Sequence, residues 1–341
     1  MRVSLVLDLR RACRGTSGSM AGRWDRPGAD AAAGREAAVD WHARRSLHHA
    51  AFGAERLSAE RSATVSVCLP ARNELATIRR NLEKLLPLLE GAVIDQLVVV
   101  DDSDDGTAEA ASGYDGVEVY DQSSLRPEFG RVAGKGDAMW RALDVLRGDI
   151  VCYLDADSED LGPHFVCGLV GPVMLDGVDL AKAFYRRPFQ VGGIRLAEGG
   201  GRVSELMARP LLNTFYPELS AFLQPLAGEF AARRELLERL PFATGYGVEI
   251  AMLIDAWHAV GLEGLAQVDL DVRQNRHRQL HELSPMAHAV LGAVAARLVR
   301  EGRLTLATDY GFLVPFEGGL VPRAIEYSER PPMASLARTP N

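Results

Sequence analysis

Residues 149–160 read Asp-Ile-Val-Cys-Tyr-Leu-Asp-Ala-Asp-Ser-Glu-Asp, an apolar, β-rich run that ends abruptly in carboxylates. Ile150 to Leu154 predicts a buried strand. At its C-terminal end Asp155 and Asp157 stand two residues apart, so both side chains can turn toward one point. Two hard oxygens there suit Mg2+ or Mn2+ bridging a diphosphate. An isolated Asp-x-Asp describes a solvated turn just as well, so the neighbouring segments decide what this one is.

Those segments repeat the pattern. Thr64-Val-Ser-Val-Cys-Leu-Pro-Ala-Arg-Asn-Glu74 predicts a strand broken by Pro70 that runs into a polar loop, followed by a helix to about Leu89. Ile94 to Asp102 predicts a second strand closing in acids, and Ser103 to Thr107 a turn that opens another helix. Val117 to Tyr120 predicts a short third strand. In Arg131-Val-Ala-Gly-Lys-Gly136 the glycines permit close backbone approach and Lys135 can face phosphate. A helix from Asp137 to Leu146 then leads into the Asp-x-Asp strand. The alternation predicts an α/β fold with a mostly parallel sheet and crossover helices, which binds ligands beyond the carboxyl ends of its strands. Glu74, Asp101, Asp102, Lys135, Asp155 and Asp157 all fall at such ends or in the loops that follow. Turn chemistry alone does not gather six polar residues on one edge, and a nucleotide site does.

The bulk of the chain limits the partners. A length of 341 residues, 47% of them hydrophobic, suffices for a large core, and a formal charge of -8 argues against nucleic acid as the main partner. Cys13, Cys68, Cys152 and Cys167 have no Cys-x-x-Cys spacing, which predicts a reduced intracellular protein without a zinc site. No apolar run reaches the roughly 18 residues of a membrane span, and Met1 to Leu9 is too short for a signal peptide. The expectation is a cytoplasmic protein with no membrane partner. Residues 1–35 predict a disordered tail and 36–63 a helical segment anchored through Trp41, Leu47 and Phe52. Residues 64–180 and 181–320 then form two functional halves, and 321–341, with Pro331, Pro332 and Pro340, predict a loose tail. The amphipathic helix Ser284 to Arg300 is apolar enough to pack on the sheet or on a second subunit, and a homodimer is expected.

Taken in order, Pro70-Ala-Arg-Asn-Glu74, Val99-Val-Asp-Asp102, Gly134-Lys-Gly136 and Asp155-Ala-Asp157 resemble the nucleotide-diphospho-sugar domain of GT-A glycosyltransferases. The second half adds Tyr185-Arg-Arg-Pro188, Gly199-Gly-Gly-Arg-Val-Ser-Glu205, Pro210-Leu-Leu-Asn213, Gln224-Pro-Leu-Ala-Gly-Glu229 and Tyr246-Gly-Val-Glu249. From about Thr64 to Leu320 the chain resembles glucosyl-3-phosphoglycerate and mannosyl-3-phosphoglycerate synthases. The resemblance implies a GT-A, Rossmann-like fold with a C-terminal acceptor-binding part. It implies retaining transfer of glucose from UDP-glucose, or mannose from GDP-mannose, to the 2-hydroxyl of 3-phosphoglycerate. Mg2+, Mn2+ or Co2+ would be the cofactor, and a compatible solute or polysaccharide precursor the product.

Residue by residue, the resemblance gives the nucleotide sugar Pro70, Ala71, Arg72, Glu74, Asp102, Lys135, Asp155, Ala156, Asp157, Tyr246, Glu249 and Arg273. Physically, Glu74 can accept from ribose or base, and Glu249, in the first turn of a helix, can reach sugar hydroxyls. The glycine-rich turn before Val203 presents backbone N–H groups to an anion, and Arg202 adds a bidentate donor. The resemblance accordingly assigns Gly201, Arg202 and Ser204 to 3-phosphoglycerate, together with Asn275 and Arg278. Val268 to Arg278 predicts a strand running into a basic cluster, where His277 can supply a nitrogen ligand beside Asp157. Here the chain departs from the pattern: Asn275 stands where relatives carry the metal histidine, and His277 comes two residues later. Either can coordinate, with His281 a third choice. Asp157, Glu249 and Arg278 are the expected catalytic residues. No covalent nucleophile is apparent, which suits a same-face displacement. Rival readings are a GT-A transferase with a lipid-phosphate or polysaccharide acceptor, and a nucleotide-sugar binding module without turnover. A pyrophosphorylase would carry a glycine-rich basic loop after its first strand, and Pro70 to Glu74 is not one.

Overall fold

The computed structural model describes residues 27–187, 189–191, 194–196, 200–273, 280–305, 311–316, 319–324 and 328–336. The described chain opens with α1 (Pro27–Arg45), β1 (Ser46–His48) and α2 (Ala54–Ala59). Strands and helices then alternate as β2 (Val65–Ala71), α3 (Ile78–Glu90), β3 (Gln96–Asp101), α4 (Thr107–Ser112), β4 (Val117–Asp121), α5 (Lys135–Ala142), β5 (Ile150–Tyr153), α6 (Pro163–Leu175) and β6 (Leu180–Arg186). A hairpin of β7 (Phe189–Val191) and β8 (Ile194–Leu196) precedes α7 (Arg209–Phe215), β9 (Phe230–Arg233), α8 (Arg234–Arg239) and β10 (Phe242–Ala243). After α9 (Val248–Val260), β11 (Leu265–Val272) and α10 (Ser284–Arg300) come a second hairpin, β12 (Gly311–Phe316) with β13 (Gly319–Ala324), and β14 (Glu329–Arg330).

Eight strands form one sheet in the order β1-β11-β6-β9-β5-β2-β3-β4. Neighbours are parallel except around β9, which is antiparallel to both β5 and β6. Both faces are covered. On β3, Leu97 and Val99 enter one apolar cluster while Val98 and Val100 enter the other, so a pleat of period two produces the continuous apolar run in the sequence. The two sequence halves therefore share a single sheet, and the parallel strands deliver all their C-terminal ends to one edge. Because β9 runs the other way, it is its N-terminal end, preceded by Glu229, that arrives there.

Local composition argues for helix after Gln224 to Glu229, yet the segment that follows forms strand β9. Phe230-Ala-Ala-Arg is alanine-rich and runs into Arg-Glu-Leu-Leu, a helical composition. Pairing to two neighbours, with Tyr153 and Lys182 opposite Phe230, overrides that preference.

The termini differ as well. Helix α1 starts at Pro27, within the segment expected to be a disordered tail, and it ends at Arg45 so that Ser46–His48 can add a parallel strand to β11. Its anchor is Trp41, fully buried, its ring tilted against that of Phe222 with centroids 4.5 Å apart and its indole N–H donated to the Leu265 carbonyl at 3.0 Å. At the other end, Glu329 and Arg330 pair with Ala243 and Phe242, and Met333 is buried. Part of the expected C-terminal tail is thus built into the body.

Candidate active site

The strand ends surround a cavity of about 620 Å3. Pro70, Ala71, Arg72 and Glu74 after β2 and Asp102 after β3 form one wall. Lys135 at the start of α5 and Asp155, Ala156 and Asp157 after β5 form the floor. Gly201, Arg202 and Ser204 face them from the turn before α7, and Tyr246, Glu249 and Arg273 complete the lining. Each expected donor or acceptor residue within the described chain thus borders this one cavity. Asn275, His277, Arg278 and His281 carry expected roles whose side chains lie outside the described residues.

Local structure explains how these side chains arrive. Gly134, at φ +85°, makes the turn that starts α5 with Lys135 as its first residue. Gly228 lies so close to Lys135 and Asp155 that a Cβ there would overlap both side chains. At the end of β11 the pairing with β6 slips between Asp269 and Val272, where Asp271 adopts φ +68° and its carboxylate is held by His49 at 2.7 Å. This bulge turns the chain so that Arg273 points under the cavity. The chain entering α7 begins in a π-helical turn, Ser204–Ala208, an irregularity frequent at functional sites.

Beneath the cavity one guanidinium serves three carboxylates. Arg273, 1% exposed, reaches Glu229 Oε1 at 2.5 Å, Asp155 Oδ2 at 3.0 Å and Asp157 Oδ1 at 3.0 Å. The Tyr185 hydroxyl accepts from Arg273 at 2.9 Å and from Arg187 at 2.8 Å and donates to Glu229 at 2.9 Å. Lys135 is ion-paired to Asp155 and lies 3.0 Å from Glu249 Oε1. Burial works against the charge of Lys135, yet Asp155 and Glu249 hold its ammonium above the ordinary lysine range. Burial likewise works against ionised Asp155, yet Lys135 and Arg273 hold its carboxyl well below the ordinary carboxylate range. Both groups therefore stay charged at neutral pH. Fully buried Glu229 is pushed the other way, upward, by burial and by the neighbouring Asp155 charge despite Arg273.

The donor set suits a hard divalent cation. Asp155 already bonds Lys135 and Arg273, while the Asp157 carboxylate is 52% exposed on the cavity and offers oxygen to Mg2+ or Mn2+. Around the glycine turn, Arg187 Nε and Gln224 Oε1 are buried without a hydrogen-bond partner among the described residues. Arg187 borders the cavity beside Gly200 and Arg202, so its orphaned donor suits an anion held there. Sequence reasoning missed Arg187 and Gln122 on the lining and the supporting roles of Tyr185 and Glu229. Its signal for Arg187, Tyr185 and Glu229 was position: each flanks or ends a sheet strand at the same edge.

An acidic strand end facing a glycine-rich, arginine-bearing turn, on a mostly parallel sheet with one reversed strand, defines a glycosyltransferase of the GT-A class. The sequence profile of glycosyl transferase family 2 matches residues 66–210. Glucosyl-3-phosphoglycerate synthase of Mycolicibacterium smegmatis is 42% identical over 283 residues, 82% of this chain and 92% of the relative. The crystal structure of mannosyl-3-phosphoglycerate synthase from Rubrobacter xylanophilus superposes with a TM-score of 0.79 at 46% identity, covering 88% of this chain and 98% of that one. Glucosyl-3-phosphoglycerate synthase from Mycobacterium tuberculosis, solved with Mn2+, UDP-glucose and phosphoglyceric acid, gives 0.73 at 41% identity, covering 83% and 95%. The chain belongs to this glucosyl-3-phosphoglycerate synthase family.

One buried cation lies behind the site. Lys182 donates to the Ala227 carbonyl at 2.6 Å and borders a small void under Glu249. Burial pulls its ammonium down to about 8, against the charge of Glu249. The unfolded chain keeps this proton up to about pH 10.4. Folding therefore releases it between the two values, and stability contributed at this position rises with pH through that window. The urea midpoint of the wild type relative to Lys182→Met is expected to rise from pH 8 to pH 10, and a constant difference would contradict the assignment.

Proposed function

We propose that this cavity transfers a hexosyl group from a nucleoside diphosphate sugar to the 2-hydroxyl of 3-phosphoglycerate with retention of configuration. The observation that carries the reading is the joining, in one cavity, of the Asp155–Asp157 strand end with Lys135 on one side and the Gly201–Arg202 anion turn on the other. A volume of about 620 Å3 is in the range of small-molecule sites and suits a donor and a small acidic acceptor together. The relatives whose structures hold UDP with Mn2+ or Mg2+ support the same reading.

In this reading Pro70 to Glu74 and Asp102 hold the base and ribose. The ion pair of Arg72 with Asp102, 3.5 Å across and largely exposed at the mouth, is where a uracil and a guanine edge would be told apart. UDP-glucose and GDP-mannose are the two candidate donors. Glu249 accepts from sugar hydroxyls, and Lys135 meets the leaving diphosphate, whose growing charge it stabilises. Asp157, with His277 or Asn275, would hold the divalent ion, which when bound neutralises diphosphate charge. Arg202, Gly201, Ser204 and Arg187 hold the phosphate and carboxylate of the acceptor.

The inner carboxylates favour a same-face route. Asp155 is engaged by Lys135 and Arg273 and Glu249 by Lys135, which leaves each poorly suited to attack an anomeric carbon. The acceptor oxygen then bonds to the anomeric carbon on the face from which the diphosphate leaves, and its proton passes to the departing phosphate oxygen. We also read the enzyme as cytoplasmic and homodimeric. Its three described cysteines are free and buried, no described helix is long and apolar enough to cross a membrane, and α10 exposes Leu291 and Val299.

The deciding assay offers UDP-glucose and GDP-mannose separately to the wild type with 3-phosphoglycerate and Mg2+, and follows nucleoside diphosphate release and hexosyl-phosphoglycerate formation. Release that does not depend on 3-phosphoglycerate would reject the acceptor. Asp157→Ala is expected to abolish turnover with the fold retained, and wild-type activity that survives a chelator would contradict the metal role. Arg202→Ala is expected to raise KM for 3-phosphoglycerate by one to two orders of magnitude, the scale of about 1.5–3 kcal/mol for a charge-assisted bond. A larger effect on the donor than on the acceptor would move the phosphate site elsewhere.

A further inference from the structure

Two residues near the C-terminus tie together the two helices whose first turns meet over the donor site. Strand β14 pairs Arg330 with Phe242 and Glu329 with Ala243 of β10, and β10 leads directly into the Tyr246–Glu249 wall of the cavity. Arg330 reaches across to the start of α5. It grips fully buried Asp137 with two parallel bonds, Nε to Oδ1 at 2.6 Å and Nη2 to Oδ2 at 2.8 Å. It also donates to the carbonyls of Phe129 at 3.0 Å and Arg131 at 3.3 Å, and it lies over the rings of Phe129 and Trp140. Asp137 in turn accepts from the Ala133 N–H at 2.9 Å. Loop 129–134 and the first turn of α5, which present Lys135, are therefore tied to β14 by Arg330, while Arg141 of α5 itself pairs with Asp137 at 3.2 Å and donates to the Gly130 carbonyl at 2.7 Å.

Glu329 makes the opposite connection. It is paired with Arg297 at 3.0 Å and with Arg300 on α10, and Arg297 donates to Asp255 on α9, Nε to Oδ1 at 3.1 Å. Asp255 stands on the helix that carries Glu249 in its first turn. The two connections converge where Lys135 and Glu249 touch at 3.0 Å.

We infer that Glu329 and Arg330 form a clasp that sets the position of Lys135 against Glu249, with Arg330 a positioning residue that acts through Asp137. Neither clasp residue lines the cavity. The inference rests on the donor site of the proposed function but not on the identity of the acceptor. Bidentate pairing explains why arginine is required: a lysine at 330 supplies a point charge without the fork that spans both Asp137 oxygens and two carbonyls.

The test uses full-length Arg330→Ala, Arg330→Lys and Glu329→Gln. Calorimetry gives the Kd for UDP and for GDP with Mn2+, and steady-state kinetics give KM for each substrate separately. Arg330→Ala is expected to weaken nucleoside diphosphate binding and to lower donor kcat/KM by 10- to 100-fold, with KM for 3-phosphoglycerate within about twofold. Added guanidinium ion is expected to restore part of the loss, and Arg330→Lys to fall between Arg330→Ala and wild type. Glu329→Gln, which leaves the Asp137 pair intact, is expected to show the same donor-side pattern at 3- to 10-fold. If Arg330→Ala does not fold, Glu329→Gln decides by the same criterion. Folded variants with wild-type Kd and donor kcat/KM would overturn the clasp, as would equal losses toward both substrates without rescue. If the wild type binds nucleoside diphosphate yet transfers nothing to 3-phosphoglycerate, the proposed function fails while the Kd comparison still judges the clasp.

Discussion

Arg273 is the interaction on which the site depends. Without a buried cation, Glu229, Asp155 and Asp157 would crowd one strand edge as like charges, and two of the three carboxylates lie in the interior or close to it. Breaking a buried charge pair by removing one partner typically costs about 3–5 kcal/mol, because the other charge stays buried and uncompensated. Here a single guanidinium answers three acids and a tyrosine hydroxyl, and Lys135 supplies a second positive charge toward the cavity. Asp155 is thereby held ionised at the strand end that borders the cavity.

Two local irregularities make that meeting possible. Strand β9 reverses direction inside an otherwise parallel sheet, which brings Glu229 to the edge where β5 and β6 end. The bulge at Asp271 turns β11 so that Arg273 enters from the same edge. Lys135 and Glu249 come from helix starts that face each other, and the C-terminal strand joins the bodies of those helices. The cavity is the place where strand ends, two helix starts and one glycine turn meet, and its chemistry follows from which residue each element ends on.

The parts legible in the sequence were those with a local signal. Apolar runs ending in polar loops gave β2, β3 and β5 and the residues beyond them, and the glycine turn before Val203 borders the cavity with them. Helix α10 matched its expected span, Ser284 to Arg300. The parts that were not legible depend on long-range pairing. Phe230–Arg233 carries a helical composition and becomes a strand only because two neighbours hydrogen-bond to it. Glu329 and Arg330 sit in a proline-flanked segment that reads as a tail, and nothing nearby in sequence marks Asp137 as the partner of Arg330. Tyr185 and Arg187 belonged to a motif already noted, but their place under and beside the cavity required the three-dimensional register of β6.

The most direct test of this account is a double-mutant cycle on the buried pair, Arg273→Met and Glu229→Gln, read by urea unfolding. The account predicts that Arg273→Met lowers stability by about 3–5 kcal/mol. Adding Glu229→Gln, which removes one of the stranded charges without changing its size, is predicted to recover at least about 1 kcal/mol, a coupling expected only of residues in direct contact. Additive losses, or an Arg273→Met variant as stable as the wild type, would contradict the claim that one shared guanidinium holds the acidic strand end together.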